Sequence, residues 1–344
     1  MQEKDIKNKV QKLQKFIKKF LVDSAKKNKN ISIWHKDIID KILPFATSGK
    51  SMRGLLVMLA SDKEDLNTLK VATAIELIHS SFLIHDDIMD QDEKRRGRDS
   101  IYIQYQKELK VKQNLHYGIS QAISLGDICL FLAFSLLNQI DHKNKEKIIG
   151  FFMDEVVRVG FGQMQDVFFG FANQEPDLKT ILDIHRSKTA RYSISLPVVL
   201  GYLLNTKDIN KKVLNELIAV GEDLGIAFQM KDDELGIWGD QKTTGKGVLK
   251  DISKNKKTAI RLLLNTSANK KEKVFLEKVF GNENLKEIDK KELFNLLTKY
   301  NIKEKHDKIL KIYNQKAKNT MKKLPDLYKN IFLFIEDFNN KRIK

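Results

Sequence analysis

The sequence predicts an all-α fold built as one domain over residues 1–344. Three observations carry that expectation. Only four prolines and 17 glycines interrupt the 344 residues, too few for a sandwich that needs a turn about every ten residues. Apolar side chains recur at steps of three and four, the period of one face of an α-helix. No internal repeat, low-complexity linker or composition shift marks a boundary between domains.

Taken in order, Ile6, Val10, Leu13, Ile17, Phe20 and Leu21 set out a first amphipathic helix with lysines on its outer face. A polar break at Lys26–Asn30 precedes an apolar segment from Ile31 to Phe45, and Thr47-Ser48-Gly49-Lys50-Ser51 forms a turn into Leu55–Leu59. Helices are predicted next at about 66–90, 115–138, 144–172, 178–204, 209–237, 258–280 and 290–320, with a last one near 325–339. Residues 268–344 read as a variable, lysine-rich helical section appended to a motif-bearing core of about 49–260. The apolar runs Ile128–Leu137 and Ile194–Leu204 fall well short of the ~20 residues of a membrane span, so no transmembrane helix is expected. Glu3, Asp5 and the lack of a continuous apolar stretch argue against a secretory or transit leader, and the expected location is cytoplasmic.

The formal charge of +17 lies almost wholly in residues 241–344, where 27 Lys and Arg face 12 Asp and Glu. The lysines are scattered at helical intervals without an interleaved aromatic series for stacking bases, so no nucleic-acid partner is expected. A solvated surface accounts for most of them, and peripheral contact with an anionic membrane stays open. The single cysteine, Cys129, sits in an apolar run and excludes both an intramolecular disulfide and a Cys-rich zinc site.

Chemistry concentrates in two acidic segments. In Ser80–Ser100, Asp86, Asp87 and Asp90 stand at i, i+1 and i+4 near the end of a helix, which puts Asp86 and Asp90 on one face. Like charges at that spacing repel, so a cation is the natural compensation. The helix behind them is apolar (Leu77, Ile78, Phe82, Leu83, Ile84), and Lys94, Arg95 and Arg96 follow at once. Carboxylates plus arginines fit a phosphate ligand that is bridged to Asp by Mg²⁺ and gripped directly by Arg. Asp232, Asp233 and Asp240 form a second acidic cluster at the end of the apolar stretch Leu224–Phe228. Two such clusters can face each other across a helical bundle and hold several Mg²⁺ ions, and all-oxygen donors favour Mg²⁺ over zinc.

With these segments the chain resembles the trans-isoprenyl diphosphate synthases of the polyprenyl synthetase family, geranylgeranyl diphosphate synthases in particular. The likeness runs from about residue 49 to 260. It rests on Gly49-Lys50-x-x-Arg53, His79 seven residues before Asp86, Asp86-Asp87-x-x-Asp90, Arg95-Arg96-Gly97, Gly126-Asp127, Gly162-Gln163-x-x-Asp166, Lys188-Thr189, Phe228-Gln229-x-x-Asp232-Asp233, Thr244-Gly245-Lys246 and Lys256. It implies a helical bundle around a central hydrophobic substrate cavity, usually as a homodimer.

The resemblance further implies that Asp86, Asp90 and Asp232 ligate Mg²⁺, more than one ion per site, on the diphosphate of an allylic substrate, with Asp87 and Asp233 as supporting partners. Arg95, Lys188, Gln229 and Lys246 would contact that diphosphate, with Lys256 nearby. Lys50, Arg53, His79 and Arg96 would hold the diphosphate of isopentenyl diphosphate without metal. The implied reaction is head-to-tail condensation of isopentenyl diphosphate with a C5, C10 or C15 allylic diphosphate. Thr189 and Gln229 would direct dipoles toward the carbocation formed on ionisation, and the released pyrophosphate would accept the proton. Gly126 and Asp127 are expected to serve helix packing.

Four positions depart from the pattern. Gly54 and Asp99 stand where prolines are common, Asn255 replaces a glycine before Lys256, and Gly236 removes the third carboxylate of the second motif. The first three are expected to change loop rigidity only, and Asp240 is expected to compensate for the last. Product length is expected to be set by Ser81 and Phe82, five and four residues before Asp86, as the floor of the chain channel. One small and one bulky residue there, with no two-residue insertion in the first motif, point to a C20 product over C15 or longer chains. A noncatalytic subunit of a heteromeric synthase and a class I cyclase are the competing readings. The intact cation set Lys50, Arg53, Arg95, Arg96 and Lys188 weighs against the first, and the second needs no second diphosphate site.

Overall fold

The computed structural model describes residues 3–109, 114–239 and 249–341. These are all-α apart from one two-residue hairpin. In order, α1 (Glu3–Asn28) is followed by a 3₁₀ turn at Ile33–Lys36, a π-helical turn at Ile38–Ile42, α2 (Leu43–Thr47), α3 (Met52–Ser61) and α4 (Leu66–Met89). Strands β1 (Lys94–Arg95) and β2 (Arg98–Asp99) lead to α5 (Ile101–Glu108), α6 (Asn114–Asn138), α7 (Lys145–Phe171) and α8 (Leu178–Ile184). A π-helical segment, His185–Ser195, joins α8 to α9 (Leu196–Asn205). Then come α10 (Lys211–Trp238), α11 (Lys250–Ser253), α12 (Ala259–Ser267), α13 (Lys270–Val279), α14 (Glu287–Lys299), α15 (Ile302–Met321) and α16 (Asp326–Lys341).

The chain divides into two compact units, one of Met1–Phe152 with Pro197–Ile209 and one of Met153–Leu196 with Asn210–Lys344. The core of the first is α4. Leu69, Val71, Ala72, Ala74, Ile75, Leu77, Ile78 and Ile84 are all buried, so this helix is apolar on every side, as a fully surrounded helix must be. Its start is fixed by Asp65, whose carboxylate accepts the Thr68 N–H at 2.8 Å. α1 packs on α3 and α4 through Leu13, Ile17 and Leu21 at steps of four, the face the sequence predicts. α6 lies against α4 and α5, and its buried side (Gly118, Ala122, Leu125, Cys129, Ala133, Leu136) repeats at helical steps.

The apolar run Ile128–Leu137 is the end of a much longer helix. Among the described residues α6 alone is long and apolar enough, by length and composition, to cross a membrane, and a third of its most apolar window is buried within the structure. The buried side just described faces α4 and α5, while Ile123, Ile128 and Phe131 of the same helix are exposed.

In the second unit α10 is the central helix. It packs against the π-helical segment, α15, α16, α11 and α12. Gly221 and Gly225, one turn apart, permit the approach to the π-helical segment: a methyl group there would lie 2.6 Å from Ser195 Oγ and 2.4 Å from Ala190 Cα. The C-terminal helices share in this core, since Leu276, Val279, Leu293, Leu296, Leu297 and Ile302 cluster with Ile237, Leu249 and Ile260. Residues 268–341 are thus packed structure and more than an appendage.

The predicted helices 258–280 and 290–320 are each two. Asn269 and Glu272 close a capping box that starts α13 afresh, and Asn301 stands at φ 50°, a left-handed break between α14 and α15. The segment 178–204 is helical throughout but widens to π over His185–Ser195. The hairpin and α5 have no counterpart among the predicted elements.

Candidate active site

In the first unit the end of α4 meets the hairpin. Arg96 and Gly97, the two loop residues, have φ of 52° and 76°, both positive as a type I′ turn requires. The turn sends Arg95 back onto the aspartates: its Nε donates to Asp87 Oδ1 at 2.6 Å, and its Nη2 lies 2.5 Å from Asp87 Oδ1 and 3.5 Å from Asp86 Oδ2. Asp87 is buried, Asp86 partly exposed and Asp90 exposed at the helix end, where its N–H donates to the Asp86 carbonyl at 2.8 Å. Burial raises the Asp87 carboxyl above the usual range against the pull of Arg95, with Asp86 and Asp92 adding to the rise. Its Oδ2 is buried without a hydrogen-bond partner among the described residues. The cluster therefore offers more oxygen donors than its cations use, which fits Mg²⁺ with retained water.

The same hairpin places Arg96 over the loop between α2 and α3. Arg96 Nη1 donates to Ser48 Oγ at 3.0 Å, and a methyl group at Gly49 would lie 2.8 Å from that nitrogen. Gly49 is thus the space the guanidinium occupies. Lys50 is exposed in this loop and Arg53 stands in the first turn of α3. Burial holds His79, on α4, well below the ordinary imidazole value, and Arg53, Arg96 and Arg95 push the same way. The imidazole is therefore neutral at pH 7 and surrounded by cations. Arg53, Arg95 and Arg96 form one positive cluster about the neutral His79 beside the aspartates, with Lys50 on the adjoining loop.

Glu76 was not singled out by the sequence. It is 5% exposed and accepts the Gly54 N–H at 2.7 Å. Burial raises its carboxyl, opposed by that N–H and by Arg53 and Arg96. Gly54 is more than a change in loop rigidity: its N–H, which a proline lacks, anchors Glu76, and a methyl group there would lie 2.5 Å from Leu13. At Gly126 a methyl group would lie 2.3 Å from His85 Nε2, and that nitrogen lies 3.6 Å from Asp127, so Gly126 and Asp127 brace α4 on α6 as expected. Ser81 is buried and Phe82 half-buried, one turn before Asp86.

In the second unit Asp233 is buried and lies 3.3 Å from His185 Nε2, while Gln229 Nε2 donates to its Oδ1 at 3.3 Å. Burial opposes its charge, yet His185, Lys256 and Gln229 hold its carboxyl below the usual range. Asp232 is half-buried beside it. Lys188, in the π-helical segment, donates to Asp166 Oδ2 at 2.5 Å. Burial opposes that carboxylate too, and Lys188, Lys256 and His185 keep it ionised. Gly162 lets the two elements approach for this pairing, since a methyl group there would lie 2.7 Å from the Lys188 backbone nitrogen. Thr189 follows Lys188, half-buried, and Lys256 lies 3.8 Å from Asp251. A π-helical widening at functional side chains is a recurrent association.

His185 and Asp166 were missed as partners, although the spacing Gln163-x-x-Asp166 on a helix was a signal for the latter. Lys246 and Asp240 lie outside the described residues. The carboxylate found beside Gly236 is that of Asp251, whose Oδ2 would be 2.4 Å from a methyl group at 236. Asn255, in place of a glycine, holds φ 57°, a conformation asparagine tolerates, and accepts Arg261 Nη1 at 2.5 Å. Asp99 pairs with Lys107 at 2.6 Å.

Residues 34–297 match the Polyprenyl synthetase family. The chain belongs to that family. It is an isoprenyl diphosphate synthase, a prenyltransferase. A short chain isoprenyl diphosphate synthase of Methanocaldococcus jannaschii is 34% identical, over 75% of this chain and 74% of the relative. A geranylgeranyl diphosphate synthase of Saccharolobus solfataricus is 29% identical over 82% of each chain. The fold matches a geranylgeranyl pyrophosphate synthase of Corynebacterium glutamicum, solved with isoprenyl diphosphate and magnesium, at a TM-score of 0.88, 21% identity and 97% and 98% coverage. Other relatives are named farnesyl or geranylfarnesyl diphosphate synthase, so likeness alone does not set the product length of this synthase.

Proposed function

We propose that residues 1–344 act as one Mg²⁺-dependent catalytic domain that condenses isopentenyl diphosphate head to tail with a C5, C10 or C15 allylic diphosphate, with geranylgeranyl diphosphate (C20) as the main product. The observation that carries this reading is the pairing, in one unit, of an Arg95-held aspartate cluster with a separate set made of the cations Arg53 and Arg96 and the neutral imidazole of His79. One substrate diphosphate needs metal; the other is held by side chains.

Asp86, Asp90 and Asp232 would hold Mg²⁺, and their donor set of carboxylate oxygens with an unused buried Asp87 oxygen fits it. The ions would neutralise the charge that develops on the leaving diphosphate. Arg95, Lys188, Gln229, Lys246 and Lys256 bind that diphosphate directly, and Asp166 aims the Lys188 ammonium. Asp87 fixes the Arg95 guanidinium, while His185 and Gln229 fix Asp233. Lys50, Arg53, His79 and Arg96 orient isopentenyl diphosphate. As the allylic C–O bond breaks, both of its electrons leave with the diphosphate; the double bond of isopentenyl diphosphate adds to the allylic cation, and a proton passes to the released diphosphate. Thr189 and Gln229 present dipoles to the cation, and the surroundings must be dry because water would quench it.

Ser81 and Phe82 form the floor that stops the growing chain. Two chains pair as a homodimer through α7, whose Met153, Val157, Phe161, Met164, Phe168 and Phe171 are exposed at steps of three and four. A cytoplasmic location, with at most peripheral membrane contact, suits these soluble substrates.

The test is incubation of the purified protein with Mg²⁺, labelled isopentenyl diphosphate and each allylic primer, with hydrolysed products resolved by length. A dominant C20 product is expected. A C15 or longer product overturns the floor assignment, and no elongation from any primer overturns the reaction in favour of a partner-dependent subunit.

A further inference from the structure

Where the first turns of α15 pack against α10, three metal-ligating side chains converge that the diphosphate chemistry does not use. Glu234 on α10 and the consecutive His306 and Asp307 on α15 bring one ligand atom each to within 4.8 Å of one another. We propose that these three residues bind a transition-metal ion of the Zn²⁺ class, separate from the Mg²⁺ of the reaction, that ties the C-terminal helices to α10.

The observation that points to a ligand is His306. Its side chain is fully buried, and neither ring nitrogen has a hydrogen-bond partner among the described residues. A buried imidazole rarely leaves both nitrogens unmatched. Burial also keeps it neutral near pH 7, against the pull of Asp233, Glu234 and Asp307 and with that of Lys231, and the neutral ring carries the lone pair a metal uses. Ligand atoms on one tetrahedral Zn²⁺ stand about 3.4 Å apart for bonds of about 2.1 Å, so shifts of about an ångström close the set. One imidazole with two carboxylates suits zinc, iron, cobalt or manganese better than magnesium or calcium, which take oxygen only.

Two lysines already attend Glu234: Lys231 pairs with Oε2, and Lys303 stands 3.6 Å from Oε1. Lys303 is half exposed, so it can swing into water and leave Oε1 to the ion, while Lys231 keeps the other oxygen. Asp307 is only partly buried, which leaves a way in, and water would fill the open coordination positions. Glu234 directly follows Asp232 and Asp233, so the ion would hold the helical turn that presents the second acidic motif.

The test uses the full-length protein stripped by a chelator and then supplied with millimolar Mg²⁺ to occupy the oxygen-only aspartates. Zn²⁺ binding is followed by calorimetry, Co²⁺ binding by visible absorption, and thermal unfolding is recorded with and without Zn²⁺. One ion per chain is expected, with Co²⁺ bands of a nitrogen-containing site and a rise in melting temperature. His306→Gln should abolish all three, and Asp307→Asn should weaken binding at least tenfold. The proposal is overturned if Mg²⁺ prevents binding altogether, or if affinity and the Co²⁺ spectrum are unchanged in the variants. Should His306→Gln fail to fold by circular dichroism, Asp307→Asn, at a partly exposed position, decides by the same readouts.

Discussion

Gly162→Ala tests how the site in the second unit is assembled. The added methyl group would lie 2.7 Å from the Lys188 nitrogen and 3.0 Å from its Cα, where ordinary contacts begin near 3.4 Å. Both atoms belong to the backbone, so no side-chain rotation relieves the clash, and α7 must move from the π-helical segment by about 0.7 Å. Alanine gains about 1 kcal/mol over glycine from helix propensity, whereas overpacking of this kind costs about 1–3 kcal/mol. Gly150→Ala, on the same helix with nothing within 4 Å among the described residues, isolates the first effect. The two variants should therefore differ by about 1–3 kcal/mol in urea unfolding, with Gly150→Ala the more stable. The displacement also loosens the Asp166–Lys188 pair, and since a misplacement of about 1 Å can cost about 10²-fold in rate, kcat should fall ten- to a hundredfold with Gly162→Ala alone. Equal stability and equal turnover of the two variants would refute the reasoning.

Phe82→Ala should shift the product distribution to longer chains, read by chromatography of the hydrolysed products; an unchanged distribution removes Phe82 from the floor. Asp251→Asn should raise the Mg²⁺ concentration needed for half-maximal activity severalfold, because its carboxylate lies against Gly236, and an unaltered Mg²⁺ titration would show that Asp251 does not replace the missing carboxylate. Asp223 on α10 has its carboxyl pushed up to about 6 by burial and by Glu222, against Lys316 and Arg186. A raised folded-state value means stability present below the unfolded value near 4 and lost as pH rises through 6. Asp223→Asn should thus melt higher than the parent at pH 7 and no higher at pH 4; the opposite order at either pH contradicts the sign. Phe161→Asp should halve the particle mass in light scattering, and a mass that stays put would place the dimer elsewhere than on α7.

Much of the fold was legible because apolar spacing records helix faces directly: Leu13, Ile17 and Leu21 of α1 are buried as their period requires. Breaks made by single residues were harder to read. Asn301 ends one helix and starts another through a left-handed backbone that its side chain tolerates, and the capping box at Asn269 stops a pattern that looks continuous. The hairpin at Arg96-Gly97 hid inside a charged segment whose spacing carries no strand period.

The sequence by itself determined which chemistry this synthase has at its disposal, because carboxylates, cations and their spacing along a helix are properties of residue order. Asp86 and Asp90 share a face by helical geometry alone. Partners distant in the chain were decided by tertiary packing. Arg96 over Gly49, Glu76 beneath Gly54, His185 against Asp233, Asp166 on Lys188 and Asp251 in the place left by Gly236 are each set by how closely two backbones approach. That distance depends on side-chain volumes summed over the whole core, so no local pattern in the chain records it.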